Sequence, residues 1–188
     1  MSKSPASRHK ARFIAVVGPS GAGKDSVMRG LCALRAEAVL ARRVITRPPD
    51  PESEDFDSVS EAEFAERAAR GAFALHWTAH GLSYGIPNSV HDALERGHDV
   101  LANLSRSTLA EAAQVFGNVV VLHITAPTKV LLHRVLQRGR EAEDAVQQRL
   151  SRQAPKIPEG LPVIEIDNSH ALEDSISAAV AALYPDRG

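Results

Sequence analysis

The segment FIAVVGPSGAGKDS, residues 13–26, constrains this chain more than any other stretch. An apolar run of strand length, Phe13 to Val17, leads straight into a glycine-rich loop, and the following VMRGLCALRAEA has the spacing of an amphipathic helix. In such a loop the backbone of Gly18, Pro19, Ser20, Gly21 and Ala22 wraps phosphate oxygens, because glycines let successive amides turn inward at the positive end of a helix. Gly23 opens the helix, and Lys24 adds a point charge beside the outermost phosphate. At average glycine usage the GxxxxGK spacing arises by chance in about one chain of this length in twenty, so the strand before it and the helix after it carry the assignment. The expected ligand is a nucleoside triphosphate, ATP.

One position departs from the usual loop. Lys24 is followed by Asp25 where a serine or threonine hydroxyl commonly meets magnesium, and Ser26 stands one place later. Asp25 has two readings: a Mg2+ ligand acting through water, or a first-turn carboxylate that favours the helix N-terminus electrostatically. Ser26 is the other candidate for Mg2+ or phosphate.

Further apolar runs of strand length occur at Val39–Ile45, Val100–Leu104, Val119–Ile124 and Val163–Ile166. Helical patterns are expected near 24–37, 61–70, 88–96, 106–115, 127–152 and 170–183, the second opening with Ser60 and Glu63 in capping-box spacing. This alternation predicts an α/β fold with a parallel sheet covered by helices on both faces, which permits continuously apolar strands such as VVVLHI at 119–124. The 188 residues suffice for one compact domain. The proline-rich, acidic stretch at 46–58 reads as an excursion over the sheet edge, and QRGREAED at 137–144 as part of a charged lid.

Composition narrows the function classes. A formal net charge of -1 gives no global basic field for nucleic acid, and the run Phe13 to Val17 is too short to cross a membrane. Cys32 is the only cysteine, which rules out an intrachain disulfide and fits a cytoplasmic location, with the thiol as core filling. His76 and His80 lack a third ligand pattern for zinc. No N-K-x-D base-reading motif occurs, against a GTPase switch. The expected partners are small molecules, and the sequence leaves the oligomeric state open between monomer and homodimer.

The order GPSGAGK, TRP (46–48), GAF (71–73), YG (84–85) and an arginine-rich lid resembles the guanylate kinase family of P-loop NTPases over nearly the whole chain. That resemblance implies a core at 12–45 and 98–188, a phosphate-acceptor segment at about 46–90, a lid at about 134–152, and Asn168 beside the adenine. It also exposes departures. The glutamate that reads guanine in that family is replaced by Leu75, the tyrosine after Asp55 by Phe56, and a second arginine past TRP by Asp50. Losing a base-edge carboxylate to leucine leaves guanine's donors unpaired, which argues against GMP.

The runs GPSGAGKDS, WTAHGLSYGIP (77–87) and NLSR (103–106) are more similar to the ribose 1,5-bisphosphate phosphokinases of phosphonate breakdown. Membership would imply ATP-dependent phosphorylation of a sugar bisphosphate, which calls for cations around the acceptor. Arg47, His80, Tyr84, Asn103, Arg106 and Arg152 are the candidate acceptor contacts, and Lys24, Arg138, Arg140 and Arg149 the candidate catalytic cations at the transferred phosphoryl. The alternatives are a nucleoside monophosphate kinase of altered base preference and a non-catalytic guanylate-kinase-like binding module. Leu75 argues against the first, and the intact Gly23 and Lys24 against the second.

Overall fold

The computed structural model describes residues 10–49, 55–137 and 155–185. Along the chain the elements run β1 (Phe13–Val17), α1 (Lys24–Leu34), β2 (Ala38–Leu40), β3 (Val44–Ile45), β4 (Asp57–Ser58) and α2 (Glu61–Ala69). The strands β5 (Phe73–Ala79) and β6 (Leu82–Pro87) come next, then α3 (Ser89–Glu95), β7 (Asp99–Asn103), a 3-10 turn at Arg106–Thr108 and α4 (Leu109–Phe116). They are followed by β8 (Val119–Thr125), α5 (Thr128–Gln137), β9 (Val163–Asp167) and a helix here termed α6 (Leu172–Leu183).

The main sheet has five parallel strands in the order β2-β7-β1-β8-β9. Every residue of β1 is buried. Alternation along β1 divides them between two apolar layers: Ile14 and Val16 pack with Val27, Leu31, Ala179 and Leu183 from α1 and α6. Phe13, Ala15 and Val17 pack on the other face with Leu75, Ile86, Val90 and Leu109. This double covering is why the strands read as unbroken hydrophobic runs. Cys32 packs half-buried against the first layer, and burial raises its thiol pKa to about 11, as suits a filler.

A smaller sheet, in the order β4-β3-β6-β5, lies against the second layer. Its presence corrects the expectation of one strand over Val39–Ile45. The chain leaves the main sheet after Leu40, although Ala41 N–H still donates to the Leu101 carbonyl at 2.8 Å. Arg42 turns to Asp55 and Asp57, both at 3.2 Å, and Arg43 donates to the Asn103 carbonyl at 2.9 Å. Val44 and Ile45 then pair with β6 in the second sheet. An apolar run cannot reveal such a division, because hydrophobicity is the same in either sheet.

The WTAHGLSYGIP run is a β-hairpin. His80 (φ 54) and Gly81 (φ 74) make its two-residue turn with positive φ at both positions, as the twist of paired strands favours. At the other end of the small sheet Ser60 caps α2, its hydroxyl accepting from Glu63 N–H at 3.1 Å. The expected helix 127–152 is described as α5 to Gln137, and its continuation falls outside the described residues.

One ion pair ties the start of β1 to β7 and the C-terminal helix. Asp99, wholly buried, accepts from Arg12 N–H at 2.7 Å, Nε at 3.1 Å and a terminal guanidinium nitrogen at 2.6 Å. Arg12 also donates to the Leu183 carbonyl at 2.9 Å. The nearby carboxylate helps push the Tyr184 phenol upward, after burial itself. Removing one partner leaves the other charge buried and uncompensated, so Asp99→Ala is expected to lower stability by about 3–5 kcal/mol, read as a shift of the urea unfolding midpoint.

Candidate active site

The glycine-rich loop joins β1 to α1 at the carboxyl end of the sheet, where open α/β sheets bind ligands. Gly18 is forced by close approach: a Cβ there would stand 2.2 Å from the Ile124 carbonyl oxygen on β8. Gly23, at φ 85, caps α1 in the left-handed region, and a Cβ on it would meet Asn168 Nδ2 at 2.3 Å. Asn168 is itself buried and donates to the Ala22 carbonyl at 2.7 Å. Asn168, which the family resemblance implies lies beside the adenine, is in this structure packed against the loop at Gly23 and Ala22. Lys24 folds over that cradle, its Nζ donating to the carbonyls of Gly18 (2.9 Å) and Pro19 (3.0 Å).

Asp25 lies in the first turn of α1, and Asn103 at the end of β7 donates to its carboxylate at 3.1 Å. A cavity opens beside them, lined by Arg29, Arg42, Arg43 and Asp55 among others. Ser26 follows in the same helical turn, half-buried. Both oxygen donors therefore stand at the positive end of α1, the chemistry a hard cation takes when phosphates complete its shell.

The acceptor candidates occupy the small sheet and its junction with the core. The guanidinium carbon of Arg47 stacks 4.5 Å from the centre of the Phe56 ring, so the phenylalanine at the family's tyrosine position serves as a platform for an arginine. Tyr84 stacks on Trp77 (5.3 Å between centroids, planes 9° apart), with the Arg43 guanidinium 5.4 Å from the tyrosine ring. His80 is exposed on the hairpin tip, and its left-handed backbone accounts for its place in the motif by turn geometry. Leu75 is 1% exposed within the second core layer, so an apolar side chain fills the position of the base-reading glutamate.

Arg106 reaches sideways from the 3-10 turn to His123 on β8, at 2.7 Å from its Nε2. The other ring nitrogen, Nδ1, lies 3.1 Å from Glu165 on β9. Burial and then the Arg106 charge lower the His123 pKa, with Glu165 acting in the opposite sense. Arg138, Arg140, Arg149 and Arg152 lie outside the described residues. Sequence reading passed over Arg43 and His123. For His123 a signal existed, since it is the one polar interruption of VVVLHI near a strand's carboxyl end. Arg43 was hidden inside a stretch read as strand.

A parallel sheet carrying this loop, with a smaller four-stranded sheet laid over its second face, defines a P-loop kinase of guanylate-kinase-like fold. A guanylate kinase structure from Anaplasma phagocytophilum superposes with a TM-score of 0.68 over 93% of this chain and 85% of its own, at 18% identity. The family model described as an AAA domain matches residues 13–157. A ribose 1,5-bisphosphate phosphokinase from Ruegeria sp. (strain TM1040) is 47% identical over 95% of this chain and 94% of its own length. One from Brucella melitensis biotype 2 is 42% identical over 93% of both. The chain belongs to the ribose 1,5-bisphosphate phosphokinase family.

Asn168 braces the loop through the Ala22 carbonyl. Asn168→Ala strands the Ala22 carbonyl and frees the loop, a loss of about 1–3 kcal/mol, so the KM for ATP should rise at least several-fold, measured in steady-state kinetics.

Proposed function

We propose that the chain transfers the γ-phosphoryl group of ATP to the 1-phosphate of ribose 1,5-bisphosphate, giving 5-phospho-α-D-ribose 1-diphosphate and ADP. The observation that carries this reading is the buried Leu75 on the β5–β6 hairpin, an apolar side chain where a base-reading carboxylate would stand, with the Arg43 guanidinium over the Tyr84 ring of the same hairpin. The names carried by the relatives point to the same acceptor.

The attacking group is an oxygen of a phosphate monoester, largely doubly ionised near neutrality because its second pKa is about 6. It needs no general base. As the new O–P bond forms, the bond from the γ-phosphorus to the β,γ-bridging oxygen breaks, and ADP departs with that electron pair. Repulsion between two polyanions is then the main obstacle, so the chain's task is to neutralise and align them. Lys24 and the loop amides would hold the β- and γ-phosphates, while Arg47, Tyr84, Asn103 and Arg106 would hold the sugar bisphosphate. Arg138, Arg140, Arg149 and Arg152 would come from the lid.

Mg2+ completes the reading. Asp25 and Ser26 would hold it, and when bound it would supply positive charge that offsets the charge of the nucleotide phosphates. The protein works on small molecules, and among the described residues no helix is long and apolar enough to cross a membrane.

The decisive assay offers ATP with ribose 1,5-bisphosphate, GMP, dGMP or AMP in parallel and identifies the product. The sugar bisphosphate should be turned over and the nucleotides should not; turnover of GMP alone would overthrow the assignment. Lys24→Ala should abolish transfer, by a thousandfold or more on the order found for such cations, while the circular dichroism spectrum stays that of the wild type.

A further inference from the structure

The strand order places β1 between β7 and β8, so the contact from Arg106, just past β7, to His123 on β8 spans about 9–10 Å of sheet. The arginine therefore crosses the carboxyl end of β1. His123 is in register with Val17, the residue before Gly18, so the crossing occurs directly beneath the mouth of the phosphate loop. Val17 shares its layer with Leu75 and Ile86 of the acceptor hairpin, whereas α1 packs on the opposite face. The guanidinium thus lies on the acceptor side of the loop.

The chemistry of the contact defines its role. A guanidinium has only donors, so the His123 Nε2 it meets is the ring's acceptor, and the proton resides on Nδ1 facing Glu165. The histidine is neutral, a state that its burial and the adjacent arginine both favour. Among the described residues no carboxylate pairs directly with Arg106; Glu165 is one imidazole away. A carboxylate in place of the histidine would fix the arginine equally well but cancel its charge. A neutral imidazole orients the fork and leaves the full positive charge, with its remaining donors, for an anion.

Resting on the functional reading above, we infer that His123, fixed in its Nδ1–H tautomer by Glu165, is a positioning residue that aims Arg106 at a phosphate group of the acceptor. It touches no substrate itself. Its effect on catalysis runs wholly through the arginine, and the three residues join three strands of the sheet at the carboxyl edge.

The test is a double-mutant cycle on the full chain, with ribose 1,5-bisphosphate and ATP varied in turn and thermal melting as the check on folding. His123→Leu is expected to raise the KM for the sugar bisphosphate about tenfold, the loss of one hydrogen bond to a charged group, with the KM for ATP within about twofold of wild type. His123→Gln, which restores an acceptor oxygen, should recover most of that loss. In an Arg106→Ala background His123→Leu should add nothing, as coupled residues require. Nitrogen NMR of the ring should show the Nδ1–H tautomer in the wild type and its loss in Glu165→Ala. Multiplicative effects in the cycle, equal KM changes for both substrates, unaltered kinetics in His123→Leu or an Nε2–H tautomer in the wild type would each overturn the inference. If the wild type uses a different phosphorylated acceptor, the functional reading fails by itself, and the same cycle run on that acceptor decides the relay.

Discussion

The structure depends on the contact between Gly18 and the Ile124 carbonyl, where the phosphate loop comes off β1 with no room for a side chain. Because β1 is central in the sheet, the loop inherits its position from both sides: Ile124 and His123 from β8, Asn103 at the end of β7 and Leu104 just past it. Leu104 N–H donates to the Val16 carbonyl at 3.0 Å, tying the end of β7 to the base of the loop. Asn168, at the end of β9, reaches the loop from a third direction. A cradle braced from three sides in this way leaves less backbone to be ordered on binding.

The acceptor side is built on a different principle. Only two of its four strands, β5 and β6, exceed two residues, Arg43 and Arg47 lie over ring faces, and its contacts with the core are mostly apolar. The guanidinium groups of Arg47 and Arg43 lie over the rings of Phe56 and Tyr84, which holds two cations against aromatic faces at the small sheet. The main sheet thus offers a backbone cradle and the small sheet two arginines over ring faces.

Much of the core could be read from the sequence, since buried parallel strands announce themselves as apolar runs and β1 coincides with the expected Phe13–Val17. The loop was equally legible, because its glycines follow from sterics alone. The small sheet was not. Val44 and Ile45 look like a continuation of Ala38–Leu40, and the hairpin's alternation is blurred by Leu75 and Ile86, which face a core that only the tertiary fold creates. Asn168 was recognised as a site residue through family resemblance, but its partner, the Ala22 carbonyl 146 positions away, is beyond any local pattern. Arg106 was named without His123, since nothing in one dimension brings neighbouring strands together.

Leu75 carries a consequence for stability. In this chain the residue at the position of the base-reading glutamate is packing material, 1% exposed in the layer that also holds Phe13 and Ile86. A carboxylate introduced there would have to be desolvated among hydrocarbon before it could meet any base. A change toward a base-reading carboxylate at this position therefore costs folding stability too, because the position belongs to the hydrophobic layer that holds the chain folded.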